Sequence, residues 1–168
     1  MDPLLVNVAE LLRRPGNDKD VATAVSAEDL HLDDPRIPRD AEVTVNAHLE
    51  SMSDGIVVTA RLVVPWHDTC RRCLTDVDDH VDVSVRELYQ VVVTDQDAFP
   101  IVGEQIDLSE MARAAVLLEL PLAALCRADC AGICPVCGAN RNEDPCSCEP
   151  VVTDDRWSAL DALREQLN

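Results

Sequence analysis

Residues 42–64, EVTVNAHLESMSDGIVVTARLVV, set the fold class of this 168-residue chain. From Glu42 to Leu49, apolar and polar side chains alternate with the period of two that turns one face of a strand toward a core. Ser53-Asp54-Gly55 supplies turn residues, and the β-branched run from Ile56 to Val64 returns beside the first strand as a hairpin. Downstream, Val77 to Val93 alternates again through Val81, Val83 and Val85. Neighbouring strands that share one apolar face predict an antiparallel sheet or partial barrel.

Upstream of the hairpin, Pro3 to Leu12 reads as a short strand running into a helical turn that Arg14-Pro15-Gly16-Asn17 stops. Val21, Thr23 and Val25 at every second position suggest a further strand, and a polar, proline-bearing loop follows from Asp33 to Asp40. On the other side, an acidic loop from Asp95 to Glu104 leads to the best helical pattern in the chain. There Asp107 is the expected N-cap, with Glu110 completing a capping box, and Met111, Ala114, Ala115, Leu118 and Leu122 share one face up to Pro121. A last helix is expected after Asp154 or Asp155, with Trp157, Leu160, Leu163 and Leu167 as its apolar stripe. The class is therefore α+β: a sheet domain with one main helix over residues 1–125, then a Cys-rich zinc-binding module with a terminal helix over 126–168.

Six of the eight cysteines fall between Cys126 and Cys148. Cys134-Pro135-Val136-Cys137-Gly138 has the form of a zinc knuckle, a glycine-relieved turn that converges two thiolates, and Cys146 and Cys148 can supply the other two ligands. Four sulfurs around one ion leave no open position, so the spacing predicts structural zinc. Cys70-Arg71-Arg72-Cys73, between two strands, suits half of a second zinc site that Cys126 and Cys130 would complete. His67 stands as a substitute ligand, or as an ordinary polar strand-end residue. A disulfide-exchanging pair is the other reading of Cys70 and Cys73, although such pairs usually open a helix.

The chain carries 32 acidic against 14 basic side chains, a formal charge of −18 spread along its whole length. Each four-thiolate zinc site would add about two more negative charges. Nucleic-acid affinity comes largely from neutralising phosphates with Lys and Arg, so this surface is matched to a basic protein and not to bare RNA or DNA. Arg71 and Arg72 are the local exception; they could touch a phosphate, or pair with Asp76, Asp78 or Asp79. The N-terminus lacks a basic segment followed by a long apolar one, which predicts a cytosolic protein. The four histidines are scattered, and no phosphate-binding glycine loop, serine elbow or HExxH is present, so enzymatic readings other than thiol chemistry at Cys70 and Cys73 fare poorly on the residues.

Taken in order, CRRCL after two strands, LSEMARAAVLLELPLAALC, the pattern C-x3-C-x-G-x-C-P-x-C-G-x-N and a closing C-x-C resemble the YceD family over residues 4 to about 150. These are bacterial and plastid proteins associated with accumulation of large-subunit ribosomal RNA. The resemblance implies a role in large-subunit ribosome biogenesis; it is the acidic charge that points to a non-catalytic factor whose partner is a basic large-subunit ribosomal protein or a pre-ribosomal particle. Some relatives lack much of the C-terminal cysteine cluster, which implies that zinc serves stability in this branch. A direct RNA-binding module and a thiol oxidoreductase using Cys70 and Cys73 are the competing readings.

Overall fold

The computed structural model describes residues 4–144 and 146–149. These group into two compact units, one of residues up to 68 with 77–122, the other of 69–76 with residues from 123 onward. The expected terminal helix, with Asp154, Asp155, Trp157, Leu160, Leu163 and Leu167, lies outside the described residues.

In chain order the elements are β1 (Leu5–Asn7), α1 (Ala9–Arg13), β2 (Asp18–Ser26), β3 (Glu42–Ser51), β4 (Ile56–Thr69), β5 (Asp76–Gln90), β6 (Phe99–Pro100), β7 (Gln105–Asp107) and α2 (Ser109–Glu119). The first unit is built on a five-stranded sheet ordered β2-β3-β4-β5-β6, antiparallel from β2 through β4 and with β6 parallel to β5. A small sheet pairs β1 with β7. The fold is thus α+β, mostly sheet with few helices.

The period-two pattern does the sorting. Val43, Val45, Ala47 and Leu49 of β3 are buried, as are Ile56, Val58, Ala60, Leu62, Val64 and Trp66 of β4. The register sets Val45 opposite Leu62 and Leu49 opposite Val58, so one face of the hairpin is continuous hydrocarbon. Each such Val, Leu or Ile contributes about 1.5–3 kcal/mol by leaving water. The opposite face carries Glu42, Asn46 and Glu50, with Arg61 paired to Asp82 through Nε–Oδ1 and Nη2–Oδ2 at 2.7 and 2.5 Å. Gly55 closes the β3–β4 turn where a Cβ would lie 2.3 Å from the Tyr89 carbonyl oxygen. Only a residue without a side chain fits that approach.

Three local expectations need correction. Leu108, not Asp107, is the N-cap of α2, and no side chain caps it; Asp107 Oδ1 instead accepts the Ser109 amide at 2.9 Å. The buried face of α2 is Met111, Ala112 and Val116, whereas Leu118 and Leu122 are exposed. A helix apolar almost all round admits two stripes, and spacing alone does not choose between them. The third strand of the pattern stops at Gln90, leaving Val91, Val92 and Val93 exposed, while β6 falls within the expected acidic loop and β7 begins directly after it. Gln90 is buried there, its Nε2 donating to the Asp54 carbonyl and its Oε1 accepting from the Thr94 and Asp95 amides.

Candidate metal centres

The second unit holds two clusters of four cysteines. Cys70, Cys73, Cys126 and Cys130 form one, Cys134, Cys137, Cys146 and Cys148 the other, and within each the sulfurs all lie within 4.8 Å of one another. In the first, the chain leaves β4 into a tight turn: the Leu74 amide donates to the Cys70 carbonyl at 2.9 Å, and Leu74 takes a left-handed φ of 60°. The Cys70 amide donates to Thr75 O at 2.8 Å, which closes the loop and turns both sulfurs to the same side. Cys73 Sγ lies 3.5 Å from Cys126 Sγ, and Cys70 Sγ 3.9 Å from Cys130 Sγ.

These distances discriminate between chemistries. A disulfide would bring two sulfurs to about 2.05 Å. A tetrahedral ion with sulfur bonds of about 2.3 Å separates its ligands by about 3.8 Å. The observed spacings fall on the tetrahedral value, and all eight cysteines are unbridged. A borderline-soft divalent ion such as zinc fits this donor set.

The second cluster is a knuckle. The Gly138 amide donates to the Cys134 carbonyl at 2.9 Å with Gly138 at φ 75°, the Cys134 amide to Ala139 O at 2.8 Å, and the Val136 amide to Cys134 Sγ at 3.4 Å. Isolated pairing of Ile133 with Asn140 frames it. Backbone amides of Cys137 and Val136 bring the Cys134 thiol down to about 6, and amides of Cys126 and Cys73 do the same for Cys70. Neighbouring sulfurs act oppositely on the last proton of each cluster: Cys73 pushes Cys126 up to about 12, and Cys137 pushes Cys148 up to about 12. A divalent cation would displace those protons.

Asn142 was not singled out by the sequence reading, because in GANRNEDP it passes for one more turn residue. Its Nδ2 donates to Cys130 Sγ at 3.3 Å and to Asn140 Oδ1 at 2.8 Å, while its Oδ1 accepts from the Ala131 amide and from Arg127. One side chain thereby ties a ligand of the first cluster to the loop of the second. Burial works to raise the Cys130 thiol, but the Asn142 and Gly132 hydrogen bonds outweigh it and the net shift is downward. Arg72 donates to the Ala128 and Cys130 carbonyls at 3.2 and 3.1 Å, so its guanidinium serves this loop and not Asp76, Asp78 or Asp79. His67 is not among the clustered groups; its Nδ1 lies 2.9 Å from Asp78 Oδ1.

A third convergence, Asp18, Asp20 and His48, lies on the solvent face of β2 and β3, where Asp20 meets His48 Nδ1 at 2.7 Å. Its carboxylates are exposed, and the hydrogen bond accounts for the arrangement. No helix among the described residues is long and apolar enough to cross a membrane.

A family model described as large ribosomal RNA subunit accumulation protein YceD matches residues 58–164. An uncharacterized protein of Mycobacterium tuberculosis is 34% identical over 166 residues, covering 94% of this chain and 80% of that protein. One of Mycobacterium leprae is 32% identical over 153 residues, 86% of this chain and 70% of its own length. A chloroplastic protein of Arabidopsis thaliana, large ribosomal RNA subunit accumulation protein YCED homolog 1, is 39% identical over 69 residues, 41% of this chain and 22% of its own. No solved structure gives a significant match.

Proposed function

Because this chain belongs to the YceD family, we propose that it is a non-catalytic cytoplasmic factor in large-subunit ribosome biogenesis, sustaining ribosomal RNA accumulation by holding or delivering a basic large-subunit ribosomal protein. The observation that carries the reading beyond the family is the charge of −18 with acidic residues in every segment. Such a surface repels phosphates over a Debye length of about 8 Å at physiological salt and attracts lysine- and arginine-rich tails. Ribosomal RNA levels then respond indirectly, because precursor that is not assembled is degraded.

In this reading each cysteine cluster holds one structural zinc ion, with Cys70, Cys73, Cys126 and Cys130 as one ligand set and Cys134, Cys137, Cys146 and Cys148 as the other. The ion supplies a fourfold cross-link and no reaction. A thiol oxidoreductase is less well supported, since Cys70 is fully buried and Cys73 nearly so, out of reach of an external disulfide. The proposed architecture is a sheet domain over 1–125 and a zinc module over 126–168.

Affinity purification from growing cells, with and without ribonuclease, tests the partner. One basic large-subunit protein, or a pre-ribosomal particle containing it, should co-purify, with the protein contact surviving nuclease. If the isolated chain binds large-subunit RNA at sub-micromolar affinity in physiological salt, and Arg71→Glu with Arg72→Glu abolishes it, the direct RNA-binding reading replaces this one.

A further inference from the structure

The chain has one tyrosine and one phenylalanine, and the fold stacks them. Tyr89, the penultimate residue of β5, and Phe99 of β6 are register partners, with ring centroids 5.2 Å apart and planes at 24°. Beside them opens a groove of ≈ 340 Å³, whose apolar wall includes Leu5, Pro100 and Val102 and whose polar wall includes Asp107 and Glu110. No lysine or arginine lines it among the described residues. Leu5 and Val102 are 43% and 70% exposed, large apolar surfaces left in water beside carboxylates. Burial, with Asp107, Glu87 and Glu110 as the neighbouring charges, holds the Tyr89 hydroxyl well above its ordinary range. The charged side chains lining the groove, Asp107 and Glu110, are both negative.

We propose that this groove seats an arginine or lysine side chain, with its apolar neighbour, from an extended basic segment of a partner protein. The aliphatic stem of such a side chain covers Leu5 and Val102 while its cationic head meets Glu110 and Asp107. Phe99, half-buried in the groove's lining, adds an aromatic ring of the kind that attracts cations. The charged side chains in the lining, Asp107 and Glu110, are both carboxylates, which disfavours an RNA phosphate as the occupant, and a purely apolar ligand would leave the acidic wall unused. The volume lies at the lower end of small-ligand sites and suits one long side chain, not a folded surface. This inference deepens the proposed partner class and rests on it only for the partner's identity as a ribosomal protein; the groove's preference for a cation beside an apolar residue stands on the geometry alone.

The test uses the purified full-length chain in its zinc-bound, reduced form and an alternating arginine–leucine octapeptide as probe, with arginine–serine and glutamate–leucine peptides as controls. Amide signals of Val102, Gln105 and Glu110 should shift on titration with the arginine–leucine peptide, more weakly with arginine–serine, and not with glutamate–leucine. Glu110→Lys should weaken binding roughly tenfold or more, whereas Glu42→Lys, the same change of charge on the solvent face of β3, should leave it within about twofold. Val102→Ser, at an exposed position, gives a second variant should Glu110→Lys disturb α2. Equal loss from Glu110→Lys and Glu42→Lys would mean general charge attraction and would overturn the proposal. So would an RNA oligonucleotide shifting the same amides, or a dimer in sedimentation that Glu110→Lys dissociates. Peptide binding at the groove without any co-purifying ribosomal protein would sink the ribosomal partner and keep the groove. A co-purifying ribosomal protein whose retention Glu110→Lys and Val102→Ser leave unchanged, together with no peptide shifts, would do the reverse.

Discussion

Removing the metal from the second unit should unfold it and spare the sheet, because that unit has almost no hydrocarbon of its own to bury. Among its described residues, the buried apolar positions are Cys70, Cys73, Ala124, Cys130 and Cys134, while Leu74, Ile133 and Val136 are exposed. One buried alanine methyl contributes about 0.8 kcal/mol, less than the cost of ordering a single residue, about 1–2 kcal/mol. A structural zinc site contributes about 10–16 kcal/mol in apparent terms. In the zinc-bound form proposed above, metal outweighs packing by more than an order of magnitude, and two clusters predict about two zinc ions per chain. Hydrogen exchange before and after chelation under reducing conditions reads this directly. Amides of 69–76 and 126–144 should lose protection, and those of β3 and β4 should keep it. Cys137→Ser should cost one equivalent of zinc. Less than about half an equivalent in the native protein, or unchanged exchange after complete chelation, would refute the reasoning.

Three further outcomes follow from the sheet unit. Gly55→Ala, which would push a Cβ to 2.3 Å from the Tyr89 carbonyl, should lower stability by about 1–3 kcal/mol in denaturant unfolding, and a wild-type midpoint would show that the turn gives way freely. Met111→Ala should cost about 2–5 kcal/mol, whereas Leu118→Ala, at 86% exposure, should stay within about 0.5 kcal/mol; reversed values would restore the other helical stripe. The hydrogen bond that the His48 ring donates to Asp20, with Asp20, Glu50 and Asp18 as nearby charges, raises His48 above its ordinary 6.5. Its stabilisation is then full below about 6.5 and is lost as pH rises through the folded value, so Asp20→Asn should lower the NMR-titrated His48 pKa and flatten that dependence.

Where the residue pattern carries a unique period, the structure could be read from it. The alternation in 42–64 admits one register, because a slip by a single residue would send Val45 and Leu62 to water. The knuckle at Cys134 and Cys137 was legible from its local spacing, but the division of eight cysteines into two sites was not, because Cys70 and Cys73 lie more than 50 residues from Cys126 and Cys130; the structure brings the sulfurs of each foursome within 4.8 Å of one another. The exposed side of α2 was not legible, as Leu117, Leu118 and Leu122 are as apolar as the residues that are buried. Nor was β6, whose two residues carry no period at all. Asn142 escaped because its role depends on a sulfur 12 residues away, a contact that only the folded loop creates.

The two clusters differ in how much chain must exist before they can close. Cys134 to Cys148 is one local stretch, complete soon after it leaves the ribosome. Cys70 and Cys130 lie 60 residues apart, so their cluster waits for β5, β6, β7 and α2 to be synthesised between them. Closing the longer loop costs only about 1 kcal/mol more entropy than closing the shorter one. The delay is larger in time than in energy: at about 5–20 residues per second, Cys70 and Cys73 emerge several seconds before their partners. During that interval they are a pair of unscreened thiols on a nascent chain, open to oxidation or to capture of a metal by half a site. The window closes when Cys130 arrives.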